Sequence, residues 1–436
     1  MVNQNWPKNV GLSLLSVYFF TAGIHQIPSV QIDMSTVFLV KRLILAGALV
    51  HMVLCINWQS VIVKKMLKIF ALWLLVLILN LFIHGNLTNV TLKILQSTTV
   101  LVIVCFFMQN FHYAKDFFRR NYFIFLIFIF SLLLIFVAFF FFEDVRVSIS
   151  TGFGGNRVNF SIWLSQFTVL FSVMWYFDLL PFSRNSKVQF LCYTAYLAPL
   201  FLLQLLSGGR LGILTSLMAI VMSVLYKFKG RIVRQLGFII AVSSFFYLFY
   251  LSVSLWFQSV YFSLFGDSKN IFRGVVELSP RDVSAISKVH DLSISSSDLY
   301  FNLCDYVVSY RLTLFVEGLK AFDLKMFLFG LGFENFQVQN YEGFPQKVHN
   351  VFLNSLGEIG VFGFLLFCFI ILFPFFALPN SKNAKIVKIG MGIWFIQAFF
   401  QPEFFYSQIG NSLCFWVFFA YALKSVFKVD EENYEF

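Results

Sequence analysis

The sequence predicts an all-α integral membrane protein with about twelve transmembrane helices and one large loop. Hydrophobic residues make up 59% of the 436 residues, and charged residues make up only 12%, about half the ~25% of an average soluble domain. The mean hydropathy is +0.80. A soluble fold cannot cover this much apolar surface. The composition therefore excludes a soluble enzyme, a disordered chain and a small disulfide-bonded scaffold.

Apolar runs that are long enough to span a bilayer recur along the chain. A spanning helix needs ~20 mainly apolar residues, and runs of about this length predict twelve helices: Val10–Ile27, Val37–Ile56, Leu67–Ile83, Val90–Met108, Tyr122–Phe142, Phe160–Phe177, Val188–Leu206, Leu211–Tyr226, Leu236–Phe257, Val351–Phe376, Ile386–Phe400 and Phe404–Leu423. Most connections between them are short. The long connection Gln258–Val348 separates the ninth helix from the tenth.

Basic residues orient these helices in the membrane. The termini and alternate connections carry Lys8, Lys64, Lys65, Lys68, Lys115, Arg119, Arg120, Arg184, Lys187, Lys227, Lys229, Arg231, Arg234, Lys382, Lys385, Lys388, Lys424 and Lys428. The opposite short connections carry only Arg146, Arg157 and Arg210. Since basic residues accumulate on the cytoplasmic side, the asymmetry predicts cytoplasmic termini and places the loop Gln258–Val348 on the external side.

The predicted helices divide the chain into four segments. Residues 1–150 hold the first five helices, and residues 151–257 hold helices six to nine. Residues 258–348 form the large external loop. Residues 349–436 hold the last three helices and a cytoplasmic tail.

The end of the large loop contains a helical pattern. Between Val307 and Phe329, apolar residues recur at helical spacing, namely Leu312, Phe315, Val316, Leu319 and Phe322. This pattern predicts an amphipathic helix that lies on the membrane face. The sequence Gly330-Leu331-Gly332 is expected to end that helix.

Several basic residues lie on the side where few are expected. Lys41, Arg42 and Lys93 lie near the external ends of the second and fourth helices. Charges at such positions indicate function by default, but these three are also explained by snorkelling to external headgroups. Arg157 and Arg210 each follow a glycine pair, where a ligand can approach the backbone closely. A guanidinium group there can bind a phosphate through two parallel hydrogen bonds.

His349 lies where the large loop meets the tenth helix. Asn350, Asn354 and Glu358 follow at intervals of four, so they share one helix face. Gly357, Gly360 and Gly363 form a second, small-residue face that suits close helix packing. A histidine at this boundary is either structural or a proton acceptor for chemistry at the membrane surface.

Three segments share a pattern with known proteins. They are Leu206–Gly212 (LSGGRLG), Tyr310–Phe333 with its Arg311, and His349–Gly363 (HNVFLNSLGEIGVFG). Together they resemble the O-antigen ligase and O-antigen polymerase family of bacterial envelope glycosyltransferases. The resemblance covers roughly residues 155–372, so the second segment of the chain begins the shared domain.

The resemblance implies a reaction and its location. The donor is a glycan on undecaprenyl pyrophosphate, and the acceptor is a sugar hydroxyl at the periplasmic face of the bacterial inner membrane. The large loop is then periplasmic. The partners are the lipid-linked glycan, the lipid bilayer and, as a further candidate, a chain-length regulator protein. Nucleic acid is not expected despite the net charge of +11, because the basic residues lie mostly in short connections.

The resemblance also implies catalytic residues. His349, Arg210 and Arg311 match the functional positions of the family. The arginines would stabilise the leaving pyrophosphate, and His349 would take the proton of the acceptor hydroxyl. The predicted substrate-binding residues are Arg157, Asn350, Lys41, Arg42 and Lys93. The sequence lacks the P-loop, HExxH and CxxC motifs, so we predict a metal-independent glycosyltransferase with no cofactor.

Three functions remain as alternatives at this point. The continuation Phe-Leu-Asn after His349 and Asn350 favours a polymerase of O-antigen or capsular repeat units. A ligase that transfers the glycan to the lipid A core would have the same motifs. Twelve helices are also typical of transporters, including flippases of lipid-linked oligosaccharides, although the two halves of this chain lack paired helix breaks. A non-catalytic scaffold would leave the arginines without a role.

Overall fold

A computed structural model describes residues 5–22, 34–121, 157–176, 193, 197, 200, 204, 210–227, 311–339, 345–379, 381–399 and 409–427. The helices are α1 (Trp6–Ala22), α2 (Met34–Leu54), α3 (Val61–His84), α4 (Leu87–Arg120), α5 (Arg157–Tyr176), α6 (Arg210–Lys227), α7 (Arg311–Lys320), α8 (Leu324–Phe329), α9 (Val351–Ala377), α10 (Lys382–Phe399) and α11 (Ile409–Val426). The strands are β1 (Gln337–Gln339) and β2 (Pro345–Lys347). The predicted fifth and ninth helices, most of the seventh and Arg146 lie outside these residues.

The described helices support a multi-pass membrane protein. Four of them are long and apolar enough to cross a bilayer: Ser35–Leu54, Val61–His84, Leu87–Arg120 and Val351–Ala377. Four further apolar helices are shorter: Ser161–Ser172, Gly212–Met222, Val387–Phe399 and Ser412–Val426. The total of twelve crossings and the external position of the loop stay predictions.

Reporter fusions test the predicted topology. An enzyme that is active only outside the cytoplasm should be active when fused within Gln258–Val348, because the basic residues place that loop outside. The same reporter should be silent when it is fused at Lys229 or after Lys428. Activity at Lys229 would contradict the twelve-helix topology.

The chain forms two compact units. The first contains residues 1–19, 42–117 and 308–436, and the second contains residues 20–41 and 118–307. In the first unit, α3 is capped by Ser60, whose hydroxyl accepts from the backbone N–H of Val63. The buried indole of Trp73 donates to the hydroxyl of Ser97 at 3.0 Å. This bond links α3 to α4 in a medium where an unpaired indole N–H would be costly.

In the second unit, α5 packs closely on α6. Gly212 makes this possible, because a Cβ atom at that position would collide with the backbone of Ser161. The buried amide of Gln204 donates to the carbonyl oxygens of both residues at 3.3 Å. The two helices therefore meet near the described start of each.

The end of the large loop differs from its predicted form. The predicted continuous helix over 307–329 is wrong in its described part, because α7 ends at Lys320 and α8 starts afresh at Leu324. Asp323 caps α8 by accepting from the N–H of Met326 at 2.7 Å. The all-α prediction also omitted the antiparallel pair of β1 and β2, in which Val338 is opposite Gln346.

The buried face of this segment agrees with the predicted one in part, because Phe315 and Phe322 pack against the buried core, but two other positions differ. Leu314 is buried, and Leu319, which the pattern placed on the apolar face, is half exposed. Leu314 packs in a cluster with Met326, Phe336, Val338, Val348 and Leu353. Gly318 faces Val348 as well, because a Cβ atom there would lie 2.8 Å from that side chain. The loop therefore has a small apolar core at the start of α9.

Candidate functional site

The start of α9 is defined by Asn350. Its side-chain oxygen accepts from the backbone N–H of Leu353 at 2.9 Å, which is the geometry of a helix cap. Asn350 is also buried. The structure thus assigns Asn350 a structural role that the prediction of substrate binding did not include. The cap fixes the backbone that carries the neighbouring His349.

His349 is held by a residue that the sequence did not single out. The amide nitrogen of Gln346 lies 2.8 Å from Nε2 of His349. The donor in this contact depends on the tautomer of the imidazole and on the orientation of the amide. The contact fixes the position of the ring, and a neutral ring whose Nε2 is unprotonated is the form that a general base requires. A hydroxyl that reacts at Nε2 has to displace the Gln346 amide.

An ion-pair cluster fastens the loop beside His349. The carboxylate of Glu334 pairs with Lys93 of α4 at 3.3 Å and with Lys347 of β2. The side chain of Lys93 is only 4% exposed. Snorkelling to headgroups is therefore the wrong interpretation of Lys93, since its ammonium group points to a carboxylate inside the protein. Lys347 lies two residues before His349, so the cluster restrains the backbone that leads into α9.

The buried carboxyl group of Glu358 extends this cluster. Its Oε1 accepts from the backbone N–H of Glu334 at 3.0 Å and from the amide of Asn354 at 3.2 Å. The predicted common face of Asn350, Asn354 and Glu358 is confirmed, because all three are buried along α9. These bonds join the loop turn at Glu334 directly to α9.

Helix α9 is interrupted at Gly360, which has φ +67°. The break releases two carbonyl oxygens from the helix ladder. That of Gly357 accepts from the N–H of Leu331 at 2.8 Å, and that of Glu358 accepts from the N–H of Gly332 at 3.0 Å. Irregular backbone at such a position is tolerated only where the protein satisfies it, and here the loop does so. Asn80 of α3 adds a third donor, to the Glu358 carbonyl at 3.0 Å.

Gly357 and Gly360 of α9 lie against the end of the large loop. A Cβ atom at Gly360 would collide with the carbonyl of Leu328, and one at Gly357 would collide with the ring of Phe336. The predicted close packing is present, but its partner is the stretch Leu328–Phe336. Gly330 has φ +75°, and its own Cβ would strike the Glu358 carbonyl. Glycine is needed at these positions for conformation and for space.

Lys41 and Arg42 are neighbours on α2 that differ in burial. Lys41 is buried, and its ammonium group donates to the carbonyl of Ala22, the last described residue of α1, at 3.3 Å. It also lies 5.7 Å from the ring centroid of Phe38. Snorkelling is thus wrong for Lys41 as well, because its ammonium group is hydrogen-bonded to a backbone carbonyl at the C-terminal end of α1. Arg42 is exposed, and substrate binding by either residue stays a prediction.

Two of the arginines that were predicted to bind the substrate or to act in catalysis are the first described residues of helices. Arg157 begins α5 and Arg210 begins α6. Ser161 and Gly212, which pack together, lie ~6 Å and ~3 Å further along these helices at 1.5 Å per residue. The backbone of Arg157 and the backbone of Arg210 are therefore at the same end of the helix pair.

Arg311 belongs to the unit that contains His349. It begins α7, one helical turn before Leu314, which packs in one cluster with Val348 and Leu353. Those two residues flank His349 and Asn350 in the sequence. The structure thus places the backbone of Arg311 close to the segment that carries His349.

A comparison with protein families matches a part of the chain that includes this site. Residues 195–368 match a family model described as O-antigen ligase, named Wzy_C. The chain carries a domain of the O-antigen ligase family. This domain contains Arg210, Arg311 and His349, together with Glu334, Gln346 and Glu358. Arg157, Lys41, Arg42 and Lys93 lie outside it. No curated protein matches the chain.

The matched residues form an ion pair with a residue outside their bounds. Glu334 lies within the matched residues, and its buried partner Lys93 comes from α4. Burial raises the pKa of the Glu334 carboxyl, but the hydrogen bond from Lys347 and the charge of Lys93 outweigh it and hold the pKa below its usual value. The Glu334 carboxyl group is therefore ionised near neutral pH.

Removal of the Glu334 charge should destabilise the protein. Glu334→Gln leaves the buried ammonium of Lys93 without its carboxylate, which typically costs about 3–5 kcal/mol. Lys93→Met removes the buried charge itself and should cost less. In thermal unfolding in detergent, we expect the Gln variant to melt at the lower temperature and the double variant to recover part of the loss.

The same cluster predicts a pH dependence. The folded-state pKa of Glu334 is depressed, so its contribution to stability is complete above the ordinary pKa of 4.5 and is lost as the pH falls through the lower folded-state value. The difference in melting temperature between wild type and Glu334→Gln should therefore shrink in acid. A difference that is constant from neutral to acid pH would contradict this assignment.

Proposed function

We propose that the protein polymerises lipid-linked repeat units of O-antigen or capsular polysaccharide at the periplasmic face of the bacterial inner membrane. The donor is a glycan on undecaprenyl pyrophosphate, and the acceptor is a hydroxyl group of a second lipid-linked unit. One observation supports this function most strongly. Within the matched O-antigen ligase domain, His349 is held by Gln346 at the boundary between loop and membrane helix.

The proposed step is a direct displacement at the anomeric carbon of the donor. The acceptor oxygen forms the new glycosidic bond while the bond from that carbon to the pyrophosphate oxygen breaks. Nε2 of His349 takes the hydroxyl proton, and the lipid pyrophosphate leaves with the electron pair. Because the leaving group is already activated, the step needs no nucleotide. We propose that it needs no metal ion either.

Cationic side chains stabilise the charge that develops on the pyrophosphate. Arg210 and Arg311 are proposed for this role, and Arg157 is proposed as a further contact because its backbone lies beside that of Arg210 at one end of the α5–α6 pair. A guanidinium group binds two phosphate oxygens in a planar fork, whereas an ammonium group supplies only a point charge.

Lysine should therefore not replace these arginines. We expect Arg210→Lys and Arg311→Lys each to lose most of the polymerising activity while the amount of protein in the membrane stays near normal. Arg157→Lys should show the same loss. Arg120→Lys is the matched control, because Arg120 is exposed at the end of α4 and is not among the predicted site residues, and it should remain active. Full activity of either the 210 or the 311 variant would remove that residue from the proposed site.

A second candidate function is that of a ligase, which the description of the matched family favours. Deletion of the gene followed by gel analysis of lipopolysaccharide separates the two. A polymerase mutant should retain a lipid A core that carries a single repeat unit. A bare core would contradict the polymerase and is the result expected for a ligase or for a flippase. An unchanged ladder would contradict both functions.

A third candidate, a flippase for lipid-linked oligosaccharides, makes no glycosidic bond. In a mutant of a flippase the repeat units stay on the cytoplasmic side. The test labels external glycans in intact spheroplasts of the deletion mutant. If the polymerase proposal is correct, single lipid-linked units should be detected outside. Their absence outside would favour transport.

A further inference from the structure

The short helix α8 has an apolar surface that the protein does not cover in its described part. Met326 is its buried residue, whereas Leu324 is 75% exposed and Phe329 is 50% exposed. Phe327 is also exposed. Three of the six residues of α8 are thus large, apolar and exposed. Single exposed apolar residues are common on protein surfaces, but a cluster of them marks an interaction surface.

Helix α8 lies against the ends of two membrane-spanning helices. Nε2 of His84, the last residue of α3, is 3.3 Å from the carbonyl oxygen of Phe329. The carbonyl of Leu328 lies so close to Gly360 of α9 that a Cβ atom there would collide with it. The level of α8 is therefore that of the last turn of α3, at the end opposite Lys64 and Lys65.

The exposed side chains of the neighbouring spans continue this surface. Phe82 and Ile83 are exposed at the same end of α3, and Phe362 of α9 is 72% exposed just beyond the break at Gly360. Side chains of this kind on a spanning helix face lipid. The backbone carbonyls of Phe329 and Leu328 lie against His84 and Gly360, which are close in sequence to these exposed residues, so the exposed side chains of α8 lie at the level of the lipid-facing ones.

A basic residue accompanies the apolar side chains of α8. Lys325 is exposed beside Leu324. A lysine can extend its apolar stem along such a surface and place its ammonium group among lipid phosphates. Apolar residues with adjacent lysine are the pattern of helices that lie in a membrane interface.

We propose that α8 is an interfacial anchor, with Leu324, Phe327 and Phe329 inserted at the boundary between headgroups and acyl chains of the bilayer. The leaflet is the one at the end of α3 that carries His84. The anchor holds the loop at the membrane surface, because Leu331 and Gly332 directly after it bond to α9. This inference rests on the fold and does not depend on the proposed function.

The test measures the depth of α8 in the membrane. Leu324→Cys and Phe327→Cys are made in a background that lacks the six native cysteines, labelled with a nitroxide and reconstituted in vesicles of phosphatidylethanolamine and phosphatidylglycerol. Collisions with oxygen report lipid exposure, and collisions with a nickel chelate report water exposure. Two matched sites set the scale. Phe362→Cys is the lipid reference, and Lys320→Cys, on the 66% exposed side chain of α7, is the water reference.

We expect the labels at 324 and 327 to show high oxygen and low nickel collision rates, as at 362. Nickel collision rates as high as those at 320 would show that α8 projects into water and would overturn the proposal. Shielding from both reagents would also overturn it, because another part of the protein would then cover α8. The melting temperature of each unlabelled variant identifies a misfolded protein, and Phe329→Cys replaces any variant that fails this check.

Discussion

His349→Ala should lower turnover by ~10²–10⁴-fold, which is the usual contribution of a general base. The contact with Gln346 holds the imidazole at the boundary between loop and α9, where we propose that it removes the proton of the acceptor hydroxyl. Binding of the lipid-linked donor should be largely kept, because the proposed donor contacts are arginines. The measurement compares the initial rate of polymer formation with donor binding to the purified variant.

His349→Gln distinguishes a base from a positioning group. Glutamine keeps a hydrogen bond but cannot accept a proton near neutral pH, so this variant should be nearly as slow as His349→Ala. The loss of one positioning bond costs much less, about 0.5–1.5 kcal/mol. If the glutamine variant kept most of the wild-type rate, His349 would only position a substrate.

Gly360→Ala should prevent normal folding of the boundary between loop and membrane. Gly360 has φ +67°, and left-handed backbone costs a residue with a Cβ atom roughly 1–2 kcal/mol. The new methyl group would also collide with the Leu328 carbonyl. The alanine variant should therefore show a much lower melting temperature, less folded protein in the membrane and no activity.

Gly392→Ala is the matched control for this change. Gly392 lies inside α10, where a Cβ atom would meet only Phe375, at an ordinary contact distance of 3.9 Å. Alanine is the better helix former by about 1 kcal/mol, so this variant should be at least as stable as wild type. A normal melting temperature for Gly360→Ala would contradict the break in α9.

Sequence patterns predicted the features that depend on neighbouring residues. The start of α9 after His349 and the common face of Asn350, Asn354 and Glu358 follow from helical spacing, and both are confirmed. The end of the helical loop segment at Gly330 is confirmed too, since glycines there have positive φ. The family was predicted from three separated motifs, and the match over residues 195–368 confirms it for that part of the chain.

Features that depend on distant contacts were not predictable in this way. Glu334 pairs with Lys93 across a large separation in sequence, and nothing in the local pattern of either residue indicates the other. Gly360 was interpreted as part of a helix-packing face, because a sequence shows a small residue but not the backbone conformation that requires it. Lys41 has the same charge as Arg42, and only tertiary structure separates the buried residue from the exposed one.

The most direct test of the central claim is a reaction with purified components. The protein in detergent is mixed with undecaprenyl-pyrophosphate-linked repeat units, with no nucleotide and with a metal chelator present. We expect glycan chains longer than one unit, together with free undecaprenyl pyrophosphate, and neither product with His349→Ala. Absence of chain growth with the wild-type protein, while a lipid A core acceptor is glycosylated under the same conditions, would contradict the polymerase proposal.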